Sequence, residues 1–306
     1  MHIRKFPFYA KNIIKDILPR SFFKLDVDSP LRNMCDAQLE YIDSRVNYYN
    51  KLNTPFKRDD TAMALKKLSV RGHASSYYYD FIECARYFDS SVKFHYIFRD
   101  VKHIPEQPTF VKARPIHGDN QNSVLLKLNK IRHFSLFDDD VAFEDKRDMA
   151  VFRGACYQES RKILLEKYKD SPLVDVADTR EHNGKKNNLM SETGQMNYKF
   201  IISVEGNDVA TNLKWIMHSR SLCFMIKPRI ESWFMEANLI PGYHYVELNK
   251  DFSDLEEKIQ YYTKHVDEAK QIIKNANDYV SPFLDEEQEK IITLLVMKKY
   301  FDLCES

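Results

Sequence analysis

The chain has 306 residues, which is enough for two domains of ordinary size with a sizeable core. Its 46 Lys and Arg residues are balanced by 45 Asp and Glu residues, and the net charge of +1 gives no global field that would attract nucleic acid. Five cysteines without a CxxC motif argue against a disulfide scaffold, and no apolar run reaches the length of about 18 residues that a membrane span needs.

Residues 1–24 form a basic amphipathic segment in which lysines, arginines, aromatic and aliphatic residues surround a single acid, Asp16. Such a segment could lie on an anionic membrane surface, with its cations near the lipid phosphates. The alternative is an ordinary first helix, kept short by Pro7 and Pro19. Because the N-terminus lacks the long uncharged stretch of a signal peptide, we expect a cytoplasmic protein, either free or peripheral on the inner face of the cytoplasmic membrane.

Helical periodicity predicts a helix in residues 29–49 and a shorter one in residues 60–68. The aromatic-rich residues 75–88 fit a helix or a buried strand. Residues 94–98 alternate Phe, Tyr and Phe and predict a strand.

Asp100 follows that predicted strand directly. In α/β enzymes the carboxyl ends of strands carry catalytic groups, so Asp100 is a candidate catalytic residue. Taken alone, a helix cap or a surface ion pair with Arg99 explains it as well.

Turn-forming residues dominate residues 105–128 and predict a loop. The polar side chains in it are Arg114, His117, Asp119 and Asn120.

Three consecutive acids, Asp138, Asp139 and Asp140, could hold Mn²⁺ or Mg²⁺ against a sugar diphosphate. A solvated turn is the alternative interpretation.

Residues 150–168 predict a strand, a glycine turn at Gly154 and a helix. Arg153 at the strand end and Arg161 in the helix are candidates for a diphosphate, because a guanidinium offers two donors in one plane to phosphate oxygens. A short strand at residues 172–176 and a polar loop at residues 179–192 follow.

Residues 199–226 predict a βαβ unit, with strands at 200–204 and 222–226. The turn between the first strand and the helix is Glu205, Gly206, Asn207 and Asp208. Either Asn207 or Asp208 is expected to cap the helix, whose N-terminus would favour an anion such as phosphate. Gly206 would let the backbone approach closely.

Residues 231–248 contain aromatic residues that fit a buried turn, and residues 254–303 have helical periodicity throughout. The latter are expected to supply scaffold.

Three separated segments, FRG at residues 152–154, YKFIISVEGNDVATNLKWIMHSRS at 198–221 and ESWFMEANLIPGYHYVEL at 231–248, together resemble glycosyltransferase family 90. The family includes bacterial lipopolysaccharide-modifying glycosyltransferases and eukaryotic protein O-glucosyltransferases. The resemblance extends over roughly residues 94–300, and the first ninety residues match loosely.

This resemblance implies an α/β fold with two Rossmann-like domains facing a cleft, the GT-B type, and a helical C-terminal segment. Residues 1–146 would form the acceptor-side domain and residues 147–280 the donor nucleotide-sugar domain. Residues 281–306 would be a C-terminal helix that could cross back to the first domain.

The resemblance also implies roles for individual residues. Asp100 would be the general base, and Glu231 would hold ribose hydroxyls. The donor-binding residues would be Arg153, Gly154, Arg161, Glu205, Gly206, Asn207, Asp208, Asn212, Lys214 and Glu231. The acceptor-binding residues would be Arg114, His117 and Asp119. Eukaryotic relatives tend to have an arginine about where Asn212 stands, so this phosphate contact is in question, and Lys214 or Arg220 could compensate for it.

The expected reaction is inverting transfer of a hexose from a UDP-sugar to a sugar hydroxyl of the lipopolysaccharide or lipooligosaccharide core, without a metal or other cofactor. One alternative is a metal-dependent transferase that uses Asp138, Asp139 and Asp140. The other is a non-enzymatic protein of the membrane surface that binds acidic polysaccharide or lipid through residues 1–24.

Overall fold

A computed structural model describes residues 7, 9–10, 23, 26, 28–32, 34–71, 74–182, 185–186 and 188–305. The basic segment predicted at residues 1–24 lies almost entirely outside these residues. The chain divides into two compact units, each described by itself below. Unit 1 comprises Met1–Arg132, Ile230–Phe234 and Asp285–Ser306, and unit 2 comprises His133–Arg229 and Met235–Leu284. The assignment of acceptor and donor roles to two domains stays a prediction.

The chain is a mixed α/β protein, as its alternating patterns predicted. Its helices are α1 (Asp28–Leu31), α2 (Asp36–Tyr49), α3 (Ser75–Ala85), α4 (Lys130–His133), α5 (Glu159–Tyr168), α6 (Glu192–Gln195), α7 (Leu213–His218), α8 (Leu255–Lys264), α9 (Val266–Val280) and α10 (Glu286–Asp302). Its strands are β1 (Met63–Ala64), β2 (Lys93–Ile97), β3 (Thr109–Val111), β4 (Ala113–Pro115), β5 (Ser123–Leu125), β6 (Arg147–Gly154), β7 (Val174–Asp178), β8 (Glu181–His182), β9 (Lys185–Lys186), β10 (Tyr198–Ser203), β11 (Leu222–Met225), β12 (Ile230–Ser232) and β13 (Val246–Glu247).

Unit 1 is built on a sheet with the strand order β1-β2-β3-β5, in which β2, β3 and β5 are parallel and β1 is antiparallel. Aromatic side chains from the sheet and from helices α3 and α10 form its core. The ring centroids of Phe81 and Phe94 are 4.8 Å apart, and those of Phe110 and Tyr300 are 4.2 Å apart. The aromatic-rich segment is therefore a helix, and it packs on the strand predicted beside it.

Two predictions for unit 1 are wrong. Residues 105–128 are not one loop but contain β3, β4 and β5, which are only three residues long and too short to show alternation in the sequence. Residues 60–68 are not a helix. They form β1 and a 3₁₀ turn, Leu65–Lys67, because the backbone N–H groups of Leu65 and Lys66 donate to Val92 and Ser90 instead of to a preceding turn.

Unit 2 contains a five-stranded parallel sheet with the order β13-β11-β10-β6-β7. Both predicted strand–helix–strand units are confirmed, as β6-α5-β7 and as β10-α7-β11. All six residues of β10 are buried, as expected for a parallel strand covered on both faces. The helical pattern of residues 254–303 is confirmed in α8, α9 and α10.

The start of helix α7 differs from the prediction. Neither Asn207 nor Asp208 caps it, because the helix begins at Leu213 and is only six residues long. Asn212 delays the helix by bonding to the end of β10: its amide donates to the carbonyl of Ile202 at 3.2 Å, and Ser203 Oγ lies 3.0 Å from its carbonyl oxygen. The predicted loop at residues 179–192 also contains the antiparallel pair β8 and β9.

Candidate active site

The sheet of unit 2 has a topological switch point between β6 and β10. From β6 the chain moves outward to β7, and it then returns to the other side of β6 to form β10 and β11. The connections that leave β6 and β10 therefore diverge and open a crevice at the carboxyl ends of these two strands. Open parallel sheets bind their ligands in such crevices.

The Arg161 guanidinium lies at this switch point. Arg161 is in the first turn of α5, which follows β6 and starts at the carboxyl edge of the sheet. Its Nη1 donates to the carbonyl of Ala155 at 3.1 Å, just after β6, and its Nη2 donates to the carbonyl of Val204 at 2.8 Å, just after β10. The guanidinium thus connects the two diverging chain segments.

Two features of the turn at residues 205–208 accompany this arrangement. A Cβ added to Gly206 would lie 3.1 Å from Arg161 Nη2, so the predicted close approach at this glycine is an approach to the guanidinium. Gln158, the N-cap of α5, donates from Nε2 to Asn207 Oδ1 at 2.9 Å. The structure therefore brings together the predicted residues Arg161, Gly206 and Asn207, with Glu205 and Asp208 in the same turn.

Arg161 has no carboxylate partner in the described part of the chain. Its Nη1 and Nη2 donate to backbone carbonyls, and its Nε is a buried donor without an acceptor among the described residues. Burial lowers the pKa of the Arg161 guanidinium, and only the Cys156 thiol opposes this shift. A half-buried cation beside the free N–H groups at the N-terminus of α5 is a favourable environment for an anion such as a phosphate.

The Arg153 guanidinium is positioned differently. In the sheet register Arg153 is opposite Ala177, but its Nη2 bonds to Asp175 Oδ1 at 2.6 Å and its Nη1 to the Asp175 carbonyl at 2.8 Å. Its side chain therefore runs back along β7, away from the carboxyl edge, and is already paired with a carboxylate. Like Arg161, it has a buried Nε without an acceptor among the described residues.

The remaining predicted donor residues have protein partners. Gly154 ends β6, and its carbonyl accepts the N–H of Thr179. Glu205 accepts from the backbone and the side chain of Arg229. Lys214 is 1% exposed and is paired at 2.6 Å with Glu236, which is equally buried.

In unit 1, Asp100 and Lys112 meet at the carboxyl edge of the other sheet. Ile97 and Val111, the last residues of β2 and β3, are register partners, so the segments that follow them leave side by side. Lys112 Nζ lies 2.8 Å from Asp100 Oδ1. Asp100 is therefore at a strand end, as predicted, and its carboxylate is held by an ammonium.

Arg114 and Glu231 form a buried ion pair in unit 1. They are register partners in β4 and β12, and Arg114 Nε lies 2.7 Å from Glu231 Oε1, with side chains 0% and 2% exposed. Arg114 also donates to the carbonyls of Tyr48, Tyr49 and Ser123, and the Tyr48 hydroxyl donates to Glu231. In this arrangement both side chains bind other groups of the protein.

The other predicted acceptor-binding residues, His117 and Asp119, are exposed in the turn that joins β4 and β5. Asp119 accepts hydrogen bonds from the backbone and side chain of Gln121.

Among the described residues, the run of three acids does not lie with other side chains that could bind the same metal ion. Asp139 lies 2.7 Å from the buried ammonium of Lys146 and accepts the Arg220 backbone N–H at 2.7 Å. Within the described ranges, no group of three or more His, Cys, Asp or Glu side chains is arranged to hold a metal ion.

The sequence model of glycosyl transferase family 90 matches residues 127–305 of the chain. The chain is also 44% identical over 307 residues to O-glucosyltransferase LpsA of Dichelobacter nodosus, which covers 98% of this chain and 96% of the relative. It belongs to glycosyltransferase family 90. Protein O-glucosyltransferase 3 of Homo sapiens is 30% identical over 151 residues, covering 45% of this chain and 29% of the human protein.

Family membership makes the protein a glycosyltransferase and argues against the non-enzymatic alternative. The family 90 match includes the switch point of unit 2 but begins after Asp100 and Lys112, so it says nothing about either. In the described part of the chain, no helix combines the length and the apolar character that crossing a membrane requires.

Sequence reasoning missed Gln158 and Lys112. Gln158 carried a weak signal, because it stands just before the helix that contains Arg161. Lys112 carried none, because the segment around it was interpreted as a loop.

Proposed function

We propose that the protein transfers a hexose, with inversion, from a UDP-sugar to a sugar hydroxyl of the lipopolysaccharide or lipooligosaccharide core. The observation that carries this proposal is Arg161 at the switch point, a half-buried cation whose hydrogen-bond acceptors among the described residues are neutral carbonyls. The relative from Dichelobacter nodosus named O-glucosyltransferase supports glucose as the first hexose to test. The two-domain GT-B arrangement and a cytoplasmic location, either free or peripheral on the inner face of the cytoplasmic membrane, are part of the same proposal.

In this mechanism Arg161 and the first N–H groups of α5 stabilise the departing UDP. As the bond between the anomeric carbon and the diphosphate oxygen breaks, negative charge grows on that oxygen, and donors fixed in advance stabilise it without a metal ion. The arginine has lost much of its hydration, so it interacts strongly with a phosphate oxygen.

Asp100 is the general base of the proposed reaction. It takes the proton of the acceptor hydroxyl while the new carbon–oxygen bond forms, a role that typically contributes about 10²–10⁴-fold to the rate. Attack on the side opposite the leaving diphosphate inverts the anomeric carbon, so a donor with an α-linked sugar gives a β-linked product.

A thermal-shift panel of nucleotides and nucleotide sugars, with and without EDTA, tests the donor class. UDP and UDP-glucose should stabilise the protein by about 2.7 kcal/mol at 100 times their Kd. EDTA should leave this stabilisation unchanged, because the countercharge is supplied by the protein. If no nucleotide stabilises the protein, the proposal is wrong; if stabilisation needs Mn²⁺ or Mg²⁺, the metal-dependent alternative replaces it.

A further inference from the structure

Lys112 is a buried ammonium with an accessible partner. Its side chain is 3% exposed, whereas that of Asp100, 2.8 Å away, is 37% exposed. Burying an ammonium is costly unless an anion compensates it. The lysine is therefore anchored inside the unit, while more than a third of the Asp100 side chain is exposed to solvent.

The chain fixes Lys112 better than it fixes Asp100. Lys112 directly follows β3 and precedes β4, so its backbone is held by strands on both sides, and its Nζ lies 5.9 Å from the ring centroid of Tyr77 on α3. Asp100 stands three residues beyond β2 in a segment without regular secondary structure. The ion pair therefore ties a side chain on an irregular segment to a rigid point.

We propose that Lys112 is the positioning residue of the general base: its ammonium holds the Asp100 carboxylate in place. This rests on the proposed function, in which Asp100 accepts the proton. During transfer the acceptor proton moves to Asp100, the new glycosidic bond forms and UDP leaves, while Lys112 keeps its own proton throughout.

A purely structural ion pair is the competing explanation, and Lys127 provides a matched control. Lys127 follows β5, the strand beside β3, and its Nζ lies 2.7 Å from Glu289 Oε2, with side chains 13% and 3% exposed. Both lysines are buried ammonium groups after parallel strands of unit 1. Of these two lysines, Lys112 is the one paired with the proposed base.

The experiment compares Lys112→Met, Asp100→Asn, the double variant and Lys127→Met in the full-length protein. The readouts are kcat, UDP affinity and melting temperature. UDP-glucose is the donor, and the acceptor is lipooligosaccharide from cells in which the gene for this chain is deleted.

Lys112→Met should lower kcat by about tenfold or more without changing UDP affinity, since it removes an interaction with the base. Lys127→Met should keep kcat within about twofold, because Glu289 keeps its ion pair with Arg45 and removing one partner of a buried pair alters stability more than chemistry.

The double variant separates positioning from a general structural effect. If Lys112 acts through Asp100, then Lys112→Met should slow the Asp100→Asn protein no further, because coupled residues are not additive. Lys112→Arg, which keeps the positive charge, should recover part of the lost rate. Should Lys112→Met fail to fold, Lys112→Gln takes its place as a neutral side chain that can still donate to Asp100.

The same measurements distinguish failure of the Lys112 role from failure of the Asp100 role. Normal kcat in Lys112→Met, or multiplying losses in the double variant, would overturn the positioning role and leave Asp100 as the base. Normal kcat in Asp100→Asn would overturn the base itself. Loss of UDP binding in Lys112→Met would also contradict the positioning role, because that loss would show that the substitution acts on the donor.

Discussion

The sharpest test of the donor site replaces Arg161 with Met. Methionine keeps much of the length and the apolar stem of arginine but removes the charge and every donor. The two backbone carbonyls of residues 155 and 204 lose a partner, which costs stability. Because burial lowers the pKa of Arg161, its charged form is disfavoured in the folded protein, so removing the charge offsets this cost. We therefore expect little change in the melting temperature of the ligand-free protein.

The loss of ligand binding should be much larger. A hydrogen bond to a charged group contributes about 1.5–3 kcal/mol, and a loss of about 2 kcal/mol weakens binding roughly 30-fold. At a UDP concentration of 100 times the wild-type Kd, stabilisation by ligand should fall from about 2.7 to about 0.9 kcal/mol. The thermal shift should thus decrease to roughly one third.

Two other cations of the same unit serve as controls. Lys162 is the next residue on α5 and is half exposed beside Glu159, so Lys162→Met measures the effect of losing one nearby positive charge. Arg153→Met removes a guanidinium that is paired with Asp175. Isothermal titration with UDP should show normal affinity for Lys162→Met and a smaller loss for Arg153→Met than for Arg161→Met.

Unchanged UDP affinity in a folded Arg161→Met protein would refute the reasoning. A fall in melting temperature without a change in affinity would make Arg161 a structural link between two loops. If Arg153→Met lost more affinity than Arg161→Met, the diphosphate would have to lie on the Arg153 side of β6.

Three further predictions concern other residues. Gly206→Ala places a carbon 3.1 Å from Arg161 Nη2, so it should displace the guanidinium and weaken UDP binding in titration calorimetry; equal affinity would show that the guanidinium can shift at no cost. Glu231→Gln leaves Arg114 without its buried countercharge and should lower the free energy of unfolding in urea by about 3–5 kcal/mol, and an unchanged midpoint would contradict the ion pair. Asp139→Asn breaks the pair with Lys146 and should lower the melting temperature while turnover in EDTA stays normal; loss of turnover that Mn²⁺ restores would instead support a metal site.

The central features of unit 2 could be predicted from sequence. The sequence of β10 is a short apolar run flanked by polar residues. A strand buried on both faces of a parallel sheet has this pattern. The glycine turns and the helical periods after β6 and β10 then fix two strand–helix–strand units. What the pattern could not give was the order of strands, because residues far apart in sequence decide whether β10 pairs with β6 or with β7.

The three-residue strands of unit 1 could not be predicted from the sequence. The position of Lys112 beside Asp100 could therefore not be predicted either. A three-residue strand is too short to show a repeat, and all three residues of β3 are buried, so no alternation marks it in the sequence. Only the pairing of Val111 with Ile97 makes Lys112 a neighbour of Asp100, and this pairing depends on the whole sheet. The position of Asp100 at a strand end, by contrast, followed from the alternating aromatic residues before it.

The directions in which the Arg153 and Arg161 side chains extend also could not be predicted from the sequence. Arg153 and Arg161 were equivalent as candidates for binding phosphate. Arg153 stands at the end of β6, and Arg161 stands in the first turn of the helix that follows. The structure separates them by their partners. Arg153, Lys146 and Lys214 each lie within 2.7 Å of a carboxylate oxygen, so their charges are compensated inside the unit. Arg161 donates to two backbone carbonyls, and its charge remains uncompensated within the described residues. An uncompensated cation costs stability in the empty protein and is favourable once an anion binds. The cation that bears this cost is therefore the best candidate for the one that holds the diphosphate.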